Sequence, residues 1–226
     1  MKKFGLVLTM LAIAIISFSQ KQKARFGIQA GANLSTLSSK ITYASFGTSY
    51  STKIPFDNIV GITGGVQAEI HLAKQFYLQP ELSYSQLGAK SVYPNADSTS
   101  SSGDLTVKGI LHYLVLPVLV KYKLANTGAA VYVGPQFGYL LGTTNKINST
   151  TINEKDNSNY KTDLAAIFGA EYYLPMGLGI SARYQLGFQN IQNPDYVDLN
   201  SFPTDVAPKS IFVRNNALTV TIGYRF

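Results

Sequence analysis

The feature that most limits how this chain can fold is a period-two alternation of apolar and polar residues recurring in eight segments. Successive strand side chains point to opposite faces, so each segment reads as a β-strand with one greasy and one polar side. The runs are Phe26 to Leu34, Val60 to Leu72, Phe76 to Tyr84, Leu114 to Tyr122, Val131 to Tyr139, Ala166 to Tyr172, Leu178 to Phe188 and Leu218 to Phe226. In the seventh, Leu178, Ile180, Ala182, Tyr184, Leu186 and Phe188 alternate with Gly179, Ser181, Arg183, Gln185 and Gly187. Most runs approach the roughly 9–11 residues that a tilted strand needs to cross a bilayer. The polar face carries most strand glycines, among them Gly27, Gly31, Gly65, Gly169, Gly179 and Gly223. On a solvated sheet surface these would only weaken pairing. Inside a narrow barrel they make room for Tyr77, Tyr132 and Arg183, so the pattern predicts apolar side chains facing lipid and polar ones facing a lumen.

The links agree. Short ones near Ala73–Gln75, Ala125–Gly128 and Leu174–Gly177 alternate with long ones at about Thr36–Ile59, Lys90–Gly109, Gly142–Thr162 and Asn190–Ser210. Outer-membrane barrels alternate tight periplasmic turns with longer extracellular loops. The expected fold is therefore all-β: an eight-stranded antiparallel up-and-down transmembrane barrel with three short periplasmic turns and four long extracellular loops. Phe26, Phe76, Tyr84, Tyr122, Tyr139, Tyr172, Phe188, Tyr224 and Phe226 lie near strand ends, where interfacial aromatic girdles belong.

The N-terminus reads as an export leader over residues 1–19. Lys2 and Lys3 precede an apolar stretch from Phe4 to Ile16, and small residues follow in Ser17-Phe18-Ser19. The barrel domain is expected over residues 20–226, in the outer membrane after export. Losing Lys2 and Lys3 takes the formal charge from +7 to +5, and Lys21, Lys23 and Arg25 cluster before the first strand. The remaining charges are nearly balanced and form no basic, aromatic-interleaved face, which argues against nucleic acid as a partner. The chain has no cysteine, so disulfides, thiolate metal sites and a catalytic thiol are excluded.

Eight strands enclose a space just wide enough for side chains to fill. The inward parity collects Glu69, Glu81 and Glu171 with Lys121, Arg183 and Arg225, three acids and three bases. An isolated charge in such a space is very costly, so these six are expected to pair and plug the lumen. Pro117 falls inside the fourth strand and predicts a bulge there, because it cannot donate to the ladder.

No constellation points to catalysis. His71 is expected inward near the periplasmic end and His112 outward near the extracellular end, so they do not meet. Asp104 and Asp163 could approach His112, but no motif supplies a nucleophile or an oxyanion donor. The run from Asn153 to Asn159 lacks the spacing of a calcium loop and reads as solvated. No metal or cofactor is expected, and the protein is not expected to be an enzyme.

With the strands placed, Phe26-Gly27-Ile28 with Gly31, Asn33, Leu34 and Ser35, then Tyr113-Leu114-Val115-Leu116-Pro117 through Lys121-Tyr122, resemble the PorT-like outer-membrane β-barrel domain family. Arg183-Tyr184-Gln185-Leu186-Gly187 and the ending Gly223-Tyr224-Arg225-Phe226 are similar as well. The resemblance implies an outer-membrane barrel whose terminal aromatics, Tyr224 and above all Phe226, are recognised by the barrel-assembly machinery. It also implies a role beside protein-secretion or gliding machinery. The residues alone leave three readings: a monomeric barrel contacting lipid, with a structural or surface-interaction role; an accessory barrel of a secretion complex; and a soluble lipocalin-like barrel that would bury Leu178, Ile180 and Ala182.

Overall fold

The computed structural model describes residues 24–45, 48–53, 55–93, 105–125, 127–148, 150–154, 160–192 and 208–226. The leader, Asp104 and most of the run from Asn153 to Asn159 lie outside them. Ten strands form: β1 Ala24–Ser45, β2 Thr48–Thr52, β3 Ile59–Ala73, β4 Phe76–Tyr93, β5 Leu105–Lys123, β6 Ala129–Ile147, β7 Thr150–Glu154, β8 Thr162–Tyr173, β9 Leu178–Gly187 and β10 Pro208–Arg225. Eight of them close a ring in the order β1, β3, β4, β5, β6, β8, β9, β10, all neighbours antiparallel. β10 returns to β1 from Gly27↔Arg225 up to Ile41↔Ile211, which removes the free edges an open sheet would expose. The short β2 folds back on β1, and β7 on β6.

Tight connections gather at one end. Lys74 takes a left-handed backbone (φ 49°) between β3 and β4. Gly177, at φ 92°, closes the β8–β9 turn, where Leu174 N–H donates to Leu178 O at 2.8 Å. Leu124 N–H likewise reaches Ala129 O at 3.0 Å across the β5–β6 turn.

The two faces of the wall differ as their chemistry requires. Ile180 is 52% exposed and Ile222 61%, and Leu178, Val133 and Phe168 stand on the same outer surface. Gln29, Asn33, Gln67, Ser181 and Thr221 are buried in the lumen. A lipocalin-like barrel is thereby overturned, because it would need Leu178, Ile180 and Ala182 inside. Glycine makes the room that the large inner side chains need. A Cβ on Gly169 would lie 2.8 Å from Arg183 Cβ, and one on Gly179 2.5 Å from the Tyr173 ring.

Three sequence expectations need correction. First, the long links are partly strand: β1 runs ten residues beyond Ser35, β4 reaches Tyr93, β5 begins at Leu105 and β6 extends to Ile147. In these extensions the pattern inverts, because water replaces lipid outside the wall. Leu37 and Ile41 turn inward while Ser38 and Lys40 turn outward. Second, the upper lumen is not polar throughout. Leu87, Leu111, Tyr113, Val115, Leu140, Ile191, Val213 and Ala217 pack there as one buried apolar cluster. Third, Pro117 makes no bulge. The β4–β5 ladder omits the pairs beside it but resumes in the same register, Pro80↔Val118 and Ser83↔Val115. Its missing N–H thus leaves a gap without an inserted residue. The bulge lies instead at the β5–β6 step where His112↔Gly142 is followed by Tyr113↔Leu140, leaving the exposed Leu141 unpaired.

Candidate functional site

The barrel's most distinctive chemistry lies inside it. Lys121 on β5, which is 0% exposed, places Nζ 2.6 Å from Glu171 Oε1 and 3.1 Å from Glu69 Oε2. Arg225 grips the same two acids, at 2.5 Å to Glu171 and 3.1 Å to Glu69. Lys123, not singled out from sequence although it shares the parity of Lys121, adds a contact of 2.6 Å to Glu69 Oε1. Higher up, Arg183 on β9 meets Glu81 on β4 through both terminal nitrogens, at 2.7 and 3.2 Å. The structure therefore brings all six sequence-predicted ions into contact, in two groups.

A neutral side chain joins the groups. Gln79, 0% exposed, donates through Nε2 to Glu81 Oε1 at 2.7 Å and to Gln67 Oε1 at 2.9 Å. Its Oε1 accepts from Lys121 Nζ and from Arg225 Nη2. Gln29 also serves both partners of the upper pair, donating to Glu81 at 2.7 Å and accepting from Arg183 at 3.1 Å. Each carboxylate is thus surrounded by donors, which is what a buried charge requires. Sequence parity put Gln79 and Gln29 inward, but no periodicity indicates which inward amide sits between ions.

Ring order gives these distances their meaning. β4 and β9 are separated by four steps in either direction around eight strands, so Arg183 and Glu81 meet across a full diameter. β5 and β10 are also diametrically opposed, and there Asn215 Nδ2 approaches Tyr113 Oη at 3.3 Å. The space remaining beside Arg183, Glu81 and Pro117 is a cavity of about 20 Å³, room for about one water.

The histidines stand apart. His71 approaches Lys74 O at 2.9 Å in the β3–β4 turn. His112 lies on the outer wall between Tyr84 Oη, 2.6 Å from Nδ1, and Thr144 Oγ1, 3.0 Å from Nε2. Asp163 does not join it: that carboxylate points into the lumen and accepts from Asn215 Nδ2 at 2.9 Å. At the chain end Phe226 N–H donates to Phe26 O at 2.9 Å, and the Tyr224 and Phe226 rings meet edge-on at 5.4 Å. Among the described residues no group of His, Asp and Glu is arranged to hold a metal.

The family model described as "Outer membrane protein beta-barrel domain" matches residues 18–193. The chain belongs to that family. This outer-membrane β-barrel domain carries its closing strand, β10, beyond the matched stretch. No curated protein matches the chain. Among solved structures the barrel is similar to neisserial surface protein A, at 12% identity over 90% of this chain and 99% of that one, with a TM-score of 0.49. It is similar also to Ail of Yersinia pestis (14%, 90% and 99%, 0.43) and to OprG of Pseudomonas aeruginosa (16%, 91% and 97%, 0.40). As an outer-membrane barrel it meets lipid with Ile180, Ile222 and their neighbours.

Proposed function

We propose that this barrel is a non-enzymatic, monomeric outer-membrane protein with a structural or surface-interaction role, its lumen plugged and its long links turned outward. The observation carrying this reading is the Arg183–Glu81 contact across the diameter, backed by the Lys121–Glu171–Arg225 group below it. An ion entering would have to displace charges already paired with one another in a space that leaves room for about one water. Purified protein in a planar bilayer is expected to leave the membrane at its baseline conductance, and steady single-channel currents would overturn the plug.

Tyr224 and Phe226 are proposed as the feature recognised by the assembly machinery. Deleting Phe226 is expected to lower the amount of heat-modifiable barrel in the envelope, since it removes both the terminal ring and the N–H that closes β10 onto β1. Undiminished assembly would count against the signal. The PorT-like order of motifs supports a second reading, an accessory barrel of secretion or gliding machinery. That reading requires partners co-purifying in stoichiometric amount after mild extraction; a lone barrel under the same conditions counts against it.

A further inference from the structure

Three lysines lie side by side on the upper outer wall. Lys90 on β4 is the direct partner of Lys108 on β5, which is in turn the direct partner of Lys146 on β6. Directly paired residues point to the same face of a sheet. For Lys108 that face is the one carrying Leu114, Val120 and Tyr122, all exposed on the outside of the barrel. Like charges placed directly opposite one another destabilise a sheet. Among the described residues the only carboxylate paired with the row is Asp57, 3.8 Å from Lys90 in an exposed pair, which offsets little of that repulsion. Tyr84, Gln86, His112 and Thr144 lie in the rows just beneath, a hydrogen-bonded belt between the lysines and the apolar wall.

The height of the row limits what can neutralise it. A tilted strand crosses the apolar layer in roughly 10 residues, which carries β5 from Tyr122 up to about His112. Lys108 is four residues further on, about 10 Å above that boundary at ordinary strand rise and tilt. Lysine stems reach down along the wall while holding the ammonium in the polar layer. In an outer membrane that layer is occupied on the outside by saccharolipid headgroups bearing phosphates and carboxylates.

We infer that the Lys90–Lys108–Lys146 row is a docking surface for a phosphorylated saccharolipid of the outer leaflet. Three ammonium groups spaced by the strand separation present a line of donors to an extended polyanionic headgroup. They take the place that divalent cations occupy between neighbouring headgroups, so the bound lipid ties the wall into the leaflet. The site is separate from the lumen and does not depend on whether the lumen conducts.

The test uses the full protein extracted from outer membranes in mild detergent containing a divalent-cation chelator. Saccharolipid retained per barrel is measured by organic phosphate and by native mass spectrometry. Replacing Lys90, Lys108 and Lys146 together by Gln is expected to lower retention about tenfold or more, since each basic residue near such a surface contributes separately. The triple Arg variant keeps it, and Lys74→Gln, in a turn at the opposite end, leaves it unchanged. Heat-modifiable gel mobility establishes that each variant is folded. Should the triple variant fail to assemble, Lys108→Gln at the centre of the row is measured in its place, with a loss of about threefold expected on the same basis. Equal retention by the Gln variant and the natural protein overturns the inference. So does an equal loss in Lys74→Gln, or a row that binds a soluble sulfated polysaccharide while retaining no saccharolipid.

Discussion

Replacing Arg183 with Met is expected to lower the unfolding free energy of the barrel by about 3–5 kcal/mol, the usual cost of leaving one partner of a buried ion pair behind. Glu81 would then face the lumen with the amide donors of Gln29 and Gln79 but no cation. The second substitution decides the cause. In Glu81→Gln/Arg183→Met the stranded charge is gone, and Gln at 81 still accepts one amide bond while its own NH2 opposes the second donor. Most of the lost stability should return, leaving a deficit of about 1 kcal/mol for the mismatched hydrogen bond. Urea unfolding in lipid vesicles, followed by heat-modifiable mobility, measures both variants. A double variant as unstable as the single would mean that Arg183 acts through packing, against Tyr132 for instance, whose ring centroid is 5.5 Å away. A single variant of unchanged stability would mean that the lumen is wet enough to solvate Glu81.

That pair also indicates what sequence reveals and what it does not. Parity alone put Glu69, Glu81, Lys121, Glu171, Arg183 and Arg225 on one face, because a strand has only two faces and lipid excludes ions from one of them. Which acid meets which base depends on ring order and stagger, and these arise from all the strand registers together. Gln79 therefore stayed invisible as the link between the two groups, although its parity was clear. Above the membrane the rule used to find strands ceases to hold. Leu37, Leu111 and Val213 are inward because water, not lipid, lies outside that part of the wall. A search for outward apolar residues consequently stops near Ser35 and counts real strand as loop. Pro117 misled in the opposite direction: a missing donor is local and certain, but the neighbouring strands hold register without an inserted residue.

The facing of the wall itself is open to a depth experiment on β10. Val220 stands outward midway along the membrane part of this strand, with Ile222 and Tyr224 below it and Leu218 above. Arginine there must take its guanidinium to the middle of the hydrocarbon, at an expected cost of about 2–4 kcal/mol of folding free energy. Phe212 shares the same face of the same strand but lies four alternate positions higher, beside Lys40 and beyond the lipid edge. The identical change at that site should cost only about 0–1 kcal/mol, because the charge reaches headgroups or water. If the apolar face pointed into the barrel, both changes would bury an unpaired cation among apolar side chains such as Ile180, Leu218 and Ile222, and the cost would be high at both sites rather than following depth. Vesicle unfolding titrations of the two variants separate the cases. Equal costs at Val220 and Phe212 would mean that the greasy face does not touch lipid.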